Sequence, residues 1–206
     1  MILYKFKSLH NAKHVFDILH NQRLFCTKYS ELNDPFEGLF LTAISIGALL
    51  AAGYSIDPFD LKNHKYKTPK KVDVLSVQLE HTKVCSLSAN LNDVRLWSLY
   101  ADGHKGIAIA IDFSGIGSNL HKVKYSKELP EFGNTLLGSP MPPEVLSCKT
   151  NHWEYEAEYR IIQDKDYYPV SGRIKSIYMG QRISYPDREL LKKITPACYA
   201  TIIITG

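Results

Sequence analysis

Apolar and polar residues alternate strictly over residues 153–162, WEYEAEYRII. On a strand, Trp153, Tyr155, Ala157, Tyr159 and Ile161 share one face, and Glu154, Glu156, Glu158 and Arg160 share the other. Residues two apart on a strand lie roughly 6.5–7 Å apart. The pattern therefore predicts three carboxyl groups and a guanidinium in one row. In a helix, the same residues would make Glu154/Glu158 and Glu156/Arg160 i,i+4 pairs. Residues 106–113, GIAIAIDF, are almost continuously apolar and predict a central strand buried on both faces. Residues 2–6, 23–26, 82–88, 122–126, 173–179 and 199–205 read as further strands.

Helical spacing governs Leu9, Ala12, Val15, Phe16, Ile18 and Leu19, with Ser8 as N-cap and Asn21 as terminator. A second helix is expected from Asp34 to about Gly53. Asp34 serves as N-cap, Pro35 as first residue and Glu37 as the capping-box acid. Residues 54–70 read as a polar loop and 72–81 as a helix with apolar Val72, Leu75 and Leu79, its local alternation leaving a strand as the alternative. Asn90 or Asn92 caps a short helix with Leu96, Leu99 and Tyr100 on its apolar face, ended by Asp102-Gly103. Residues 128–143 read as a Pro/Gly-rich loop, and 186–194 as the last helix. Strands outnumber helices without βαβ alternation. The expected class is α+β: one domain with a mixed, mostly antiparallel central sheet and flanking helices, and a helical segment at about 34–81 inserted before that sheet.

Composition changes this picture little. Of 206 residues, 45% are hydrophobic and 22% charged, which indicates a globular chain and neither disorder nor a membrane protein. The net charge is +4, and its densest basic cluster, Lys62, Lys65, Lys67, Lys70 and Lys71, reads as a solvated loop while leaving nucleic acid open as a partner. The apolar run 39–53 falls short of the roughly twenty residues needed to cross a bilayer, so it reads as a buried helix. The N-terminal stretch MILYKFKSLH is too polar for a signal peptide. Cys26, Cys85, Cys148 and Cys198 show no metal-ligand spacing, and Cys26, Cys85 and Cys198 lie in apolar runs that predict buried, reduced thiols. A cytoplasmic protein is expected. His10 and His14 stand i,i+4 but lack a matching carboxylate or thiol, so no metal site is assigned. Residues 114–118, SGIGS, lack dinucleotide-fingerprint spacing, and no GxSxG, HExxH or phosphate-loop motif occurs.

Candidate chemistry centres on the acidic segment. Carboxyl groups so spaced repel strongly where water is excluded. They must be solvated, be neutralised by bases such as Arg160, Lys149 or His104, or include one with a raised pKa, as in a general acid. Glu156, Glu158, Arg160 and His104 are the candidate catalytic residues. His104 stands in the turn entering the strand 106–113, where sites are commonly built, with Lys105 or Arg95 as an anion partner.

The pieces Tyr4-Lys5-Phe6, Leu32-Asn33-Asp34-Pro35-Phe36-Glu37, Cys85-Ser86-Leu87-Ser88, the run 96–106, and Lys149, Trp153, Glu156, Glu158, Tyr159 and Arg160 cover most of the chain. In this order they resemble the bacterial family of domain of unknown function 2971, which is defined by sequence and not by a reaction. At a coarse level the organisation is also similar to the ADP-ribosyltransferase superfamily, with Lys5 standing where that superfamily has Arg or His. This likeness implies an NAD- or nucleotide-utilising enzyme. Glu158 or Glu156 would hold a ribose hydroxyl and stabilise an oxocarbenium-like transition state. Arg160, His104 or Lys5 would hold the pyrophosphate, and Trp97 or Tyr100 would stack the base. Tyr4, Lys5, Asn33, Asp34, Trp97 and Tyr100 form the expected cofactor-binding set. The alternative is a non-catalytic nucleotide- or nucleic-acid-binding module of a defence or toxin system. Two-carboxylate hydrolysis ranks last.

Overall fold

The computed structural model describes residues 1–34, 39–44, 66–71, 81–115, 119–128, 130–132, 142–196 and 199–203. Its strands are β1 (Ile2–Lys7), β2 (Arg23–Phe25), β3 (Thr27–Lys28), β4 (Leu39–Ile44), β5 (Tyr66–Lys71), β6 (Lys83–Ser88), β7 (Ile107–Asp112) and β8 (Leu120–Lys122). They continue with β9 (Lys124–Ser126), β10 (Glu131–Phe132), β11 (Cys148–Thr150), β12 (Glu158–Gln163), β13 (Tyr167–Pro169), β14 (Ile174–Met179) and β15 (Ala200–Ile203). The chain is α+β. It divides into two compact units interleaved in sequence, one of Met1–Thr27, Lys83–Val123 and Trp153–Gly206, the other of Lys28–Thr82 and Lys124–His152.

The first unit is built on a mixed sheet in the order β15-β14-β7-β1-β6-β12-β8, with β3 also paired to β6. Only the β14–β15 pair on that path is parallel. As its sequence predicts, β7 lies inside the sheet with Ile107 to Ile111 buried. Cross-strand registers sort the side chains into two faces. Leu3, Cys85, Leu87, Ile107, Ile109, Ile111, Ile161, Ile177 and Met179 form one, packed with Val15, Ile18 and Leu19 of the helix Ala12–Leu19 and with Leu191 of the helix Tyr185–Ile194. Each such fully buried side chain contributes about 1.5–3 kcal/mol. The opposite face carries Phe6 and Ala108 under Leu96 and Trp97 of the helix Val94–Tyr100.

Local signals explain the helix starts. Ser8 accepts from the backbone N–H of His10 and opens the short 3-10 turn Leu9–Asn11 before the first helix. Ser184 accepts from the Asp187 N–H, with Pro186 in the first turn, at the start of the last helix. Asp93, not Asn90 or Asn92, caps Val94–Tyr100 through the Arg95 N–H. Leu99 turns outward at 59% exposure, so Leu96 and Trp97 form the buried face instead.

In the second unit, β4 pairs antiparallel with β5 and parallel with β10, and β9 pairs parallel with β11. The helix expected to run on from Asp34 is therefore a strand over Leu39–Ile44, and the end of the expected loop is part of the strand Tyr66–Lys71. A short apolar run carries no period that separates helix from strand, and cross-strand pairing decides the outcome. Pro35 and Glu37 of the expected capping box, the remainder of the 45–65 segment, and all but His81 of the expected 72–81 helix lie outside the described residues.

The turn leaving the aromatic helix is held by close backbone contact. Asp102, Gly103 and His104 all adopt positive φ, at 50°, 60° and 69°. The His104 carbonyl accepts the Arg182 N–H at 2.9 Å. Gly180 packs so tightly here that a Cβ on it would lie 2.1 Å from the His104 oxygen. Gly180→Ala should therefore destabilise the fold by about 1–3 kcal/mol. An unchanged thermal midpoint would show that this turn yields freely.

Candidate functional site

The acidic segment is not one strand. Asn151–Glu156 is a 3-10 helix, and β12 begins only at Glu158. Between them Ala157 takes φ +42°, a conformation costly for a residue with a Cβ. Two bonds pin it: the Ala157 N–H donates to the Glu154 carbonyl at 3.1 Å, and the Ala157 carbonyl accepts the Ala89 N–H at 3.0 Å. The reversal corrects the expected row. Glu154 is exposed, whereas Glu156 and Glu158 are 4% and 3% exposed.

Ser88 joins these two carboxyl-bearing residues. It stands opposite Glu158 in the β6–β12 ladder, and its hydroxyl donates to the Glu156 carbonyl at 2.5 Å. The Glu156 carboxyl accepts the Tyr100 hydroxyl at 2.6 Å through Oε1. Glu158 is gripped by Arg160, two residues along the same face. Nε donates to Oε1 at 2.8 Å and Nη2 to Oε2 at 3.1 Å, with the guanidinium 1% exposed. A two-point fork of this kind fixes the carboxyl plane as well as its position. Tyr100→Phe should cost about 1–3 kcal/mol, since Glu156 stays buried without that donor. A urea midpoint matching the parent would show that water replaces the hydroxyl.

The registers extend the site. Tyr4 stands opposite Ser88 on one side and Ala110 on the other, so Tyr4, Ser88 and Glu158 line up across three strands. Tyr178 meets Tyr4 edge-on at 6.0 Å. Burial first, and Tyr178 second, pushes the Tyr4 phenol above its ordinary pKa. His121 stands directly opposite Arg160 on β8, and burial lowers its pKa. Arg95 lies 3.9 Å over the ring of Tyr155, next to Trp153.

Sequence reasoning missed Ser88, His121 and Tyr178 as site residues. Ser88 ends the run Cys85-Ser86-Leu87-Ser88, but only the register shows which face it joins. His121 carried no local signal, because its place comes from β8–β12 pairing.

Two expected cofactor contacts, Lys5 and Trp97, turn away from this site. Lys5 shares the inward face of β1 with Leu3 and donates to the Ser86 carbonyl at 2.7 Å, away from Tyr4 and Glu158. Period-two alternation separates Tyr4 from Lys5 as soon as both enter one strand. Trp97 is core at 2% exposure, edge-on to Phe6 at 5.2 Å, with its indole N–H on the Leu91 carbonyl at 2.7 Å. His104 stacks on Trp97 at 5.5 Å and is half-buried. Asn33 and Asp34 belong to the second unit, Asn33 exposed and Asp34 buried. Among the described residues, no group of three or more His, Cys, Asp or Glu side chains is placed to hold a metal ion. Likewise, no helix there is long and apolar enough to cross a membrane.

The chain matches no family model, no curated protein and no solved structure.

Proposed function

We propose that the row formed by Tyr4, Ser88, Glu156, Glu158 and Arg160 binds a nucleotide and that the chain is an enzyme acting on it. The most concrete reaction is cleavage of NAD at its N-glycosidic bond, with release or transfer of the ADP-ribosyl group. The observation that carries this reading is the pair of buried carboxyl groups, Glu156 and Glu158, each held by a directed side-chain hydrogen bond, with Ser88 bonded to the Glu156 main-chain carbonyl and standing opposite Glu158. Carboxylates fixed where a ribose oxocarbenium develops stabilise its positive charge without reorganising. Arg160 orients Glu158, Tyr100 orients Glu156, and Tyr4 with Tyr178 supplies half-buried ring faces in place of Trp97. His104 is the phosphate contact that remains from the sequence reading. The same proposal places the chain in the cytoplasm and, on the sequence pieces quoted above, with the family of domain of unknown function 2971.

A non-catalytic nucleotide- or nucleic-acid-binding module is the second reading. The inward turn of Lys5 and the burial of Trp97 favour it, because they remove two expected NAD contacts. Incubation with NAD, read by chromatography of released nicotinamide, separates the two. The enzyme reading expects turnover, lowered about 100-fold or more in Glu156→Gln, the order of one lost transition-state contact. Binding of ADP-ribose should persist in that variant. ADP-ribose binding without nicotinamide release would favour the module. No binding of NAD, ADP-ribose or mononucleotides would remove both.

A further inference from the structure

Two thiols belong to neither the nucleotide face nor the aromatic cluster. Cys26 and Cys85 are both free, and both are at most 1% exposed within the core on the inward side of the large sheet. Topology brings them together. Cys26 immediately precedes β3, which pairs with β6, the strand that carries Cys85. Gln163 places its amide nitrogen 3.5 Å from the Cys26 sulfur, on a strand whose Ile161 stands opposite Cys85. Both thiols therefore lie in one core cluster, on or beside paired strands.

The setting is not that of ordinary core cysteines. Lys5 and Lys7 alternate with Leu3 onto this inward face of β1, where aliphatic side chains would cost far less to bury. The Lys5 ammonium turns to the Ser86 carbonyl at 2.7 Å, one residue from Cys85. Burial first, and then Lys5, brings the Lys7 ammonium down to about 8. The neighbouring Cys26 thiol first, with Lys5 and Lys7 adding to it, holds the Cys85 thiol below its ordinary value against the effect of burial. The neighbouring Cys85 first, and then burial, push Cys26 up. Lys5 and Lys7 on that face, and Gln163 beside Cys26, are half-buried. His14 keeps a buried ring nitrogen, Nδ1, with no hydrogen-bond partner.

We propose that Cys85 and Cys26 form a redox-active dithiol that reduces a small peroxide. The Cys85 thiolate attacks one peroxide oxygen. The S–O bond forms, the O–O bond breaks, and the departing oxygen takes a proton and leaves as water or an alcohol. Cys85 is then a sulfenic acid. Cys26, losing its proton, attacks the Cys85 sulfur. The S–S bond forms, and hydroxide leaves and is protonated to water. Two thiols lose two electrons and the peroxide gains them. A positively charged setting of this kind is what selects one thiol for such chemistry.

Limiting hydrogen peroxide added to the reduced, folded chain, followed by alkylation and peptide mapping, tests this directly. The expected product is a Cys26–Cys85 linked peptide, reversed by dithiothreitol, formed before the half-buried Cys148 is oxidised. Cys26→Ser should let dimedone label Cys85, and Lys5→Met should slow the reaction about tenfold, the size of one unit of thiol pKa. Should Cys148 oxidise first in the parent chain, or Cys85 oxidise irreversibly without the linked peptide, the assignment is overturned. The parent chain supplies that outcome whether or not the variants fold. Nucleotide turnover plays no part in the readout.

Discussion

Arg160→Met should destabilise the folded chain by about 3–5 kcal/mol, the usual cost of stranding one partner of a buried ion pair. Arg160 and Glu158 sit two apart on β12, so their side chains leave the same face, and both are sealed from solvent at 1% and 3% exposure. The fork at 2.8 and 3.1 Å uses both carboxyl oxygens of Glu158. Without the guanidinium, that carboxyl loses both bonds of the fork while it stays buried, charged or protonated. Both states are less favourable than exposure in the unfolded chain. Replacing the pair together, as Glu158→Leu with Arg160→Met, removes the stranded group and should cost clearly less than the sum of the single changes. Urea unfolding of the four proteins gives the coupling. A single Arg160→Met variant within about 1 kcal/mol of the parent would mean that water reaches the pair, as at exposed bridges. The claim of a water-excluded carboxyl centre would then be lost.

Much of the fold was legible because some segments admit one solution. GIAIAIDF has no polar face to expose, and it became the interior strand β7. Ser184, Pro186 and Asp187 each favour a helix start for a separate reason, and the last helix begins there. Other segments failed where two solutions satisfy the same pattern. LFLTAI suits a buried helix or a strand equally, and only pairing with Tyr66–Lys71 decided it. WEYEAEYRII alternates throughout, yet the left-handed Ala157 splits it, and no propensity points to Ala for that conformation. The candidate site was half legible for the same reason. Glu158 and Arg160 follow from alternation within one strand. The partners Ser88, Tyr4 and His121 come from strands distant in sequence, and cross-strand register is not written in any local pattern.

Trp97→Ala should cost about 3–5 kcal/mol, because it empties the largest buried side chain of the chain's described core. The indole is edge-on to Phe6 and lies parallel to His104 at an interplanar angle of 12°, so the cavity would open under both rings. His104, which holds φ +69°, would lose its stacking partner, and the turn into β7 should loosen with it. Trp97→Phe keeps much of the volume but leaves the Leu91 carbonyl without its indole donor, a loss of about 1–3 kcal/mol. Nucleotide affinity is the second readout. A packed Trp97 predicts that the Phe variant, once folded, binds nucleotide as the parent does. The base-stacking role suggested by sequence alone predicts the reverse: little loss of stability in the Ala variant and a large loss of affinity in both. Thermal unfolding and ligand titration on the same two variants decide between a tryptophan that supports the site from beneath and one that touches its ligand.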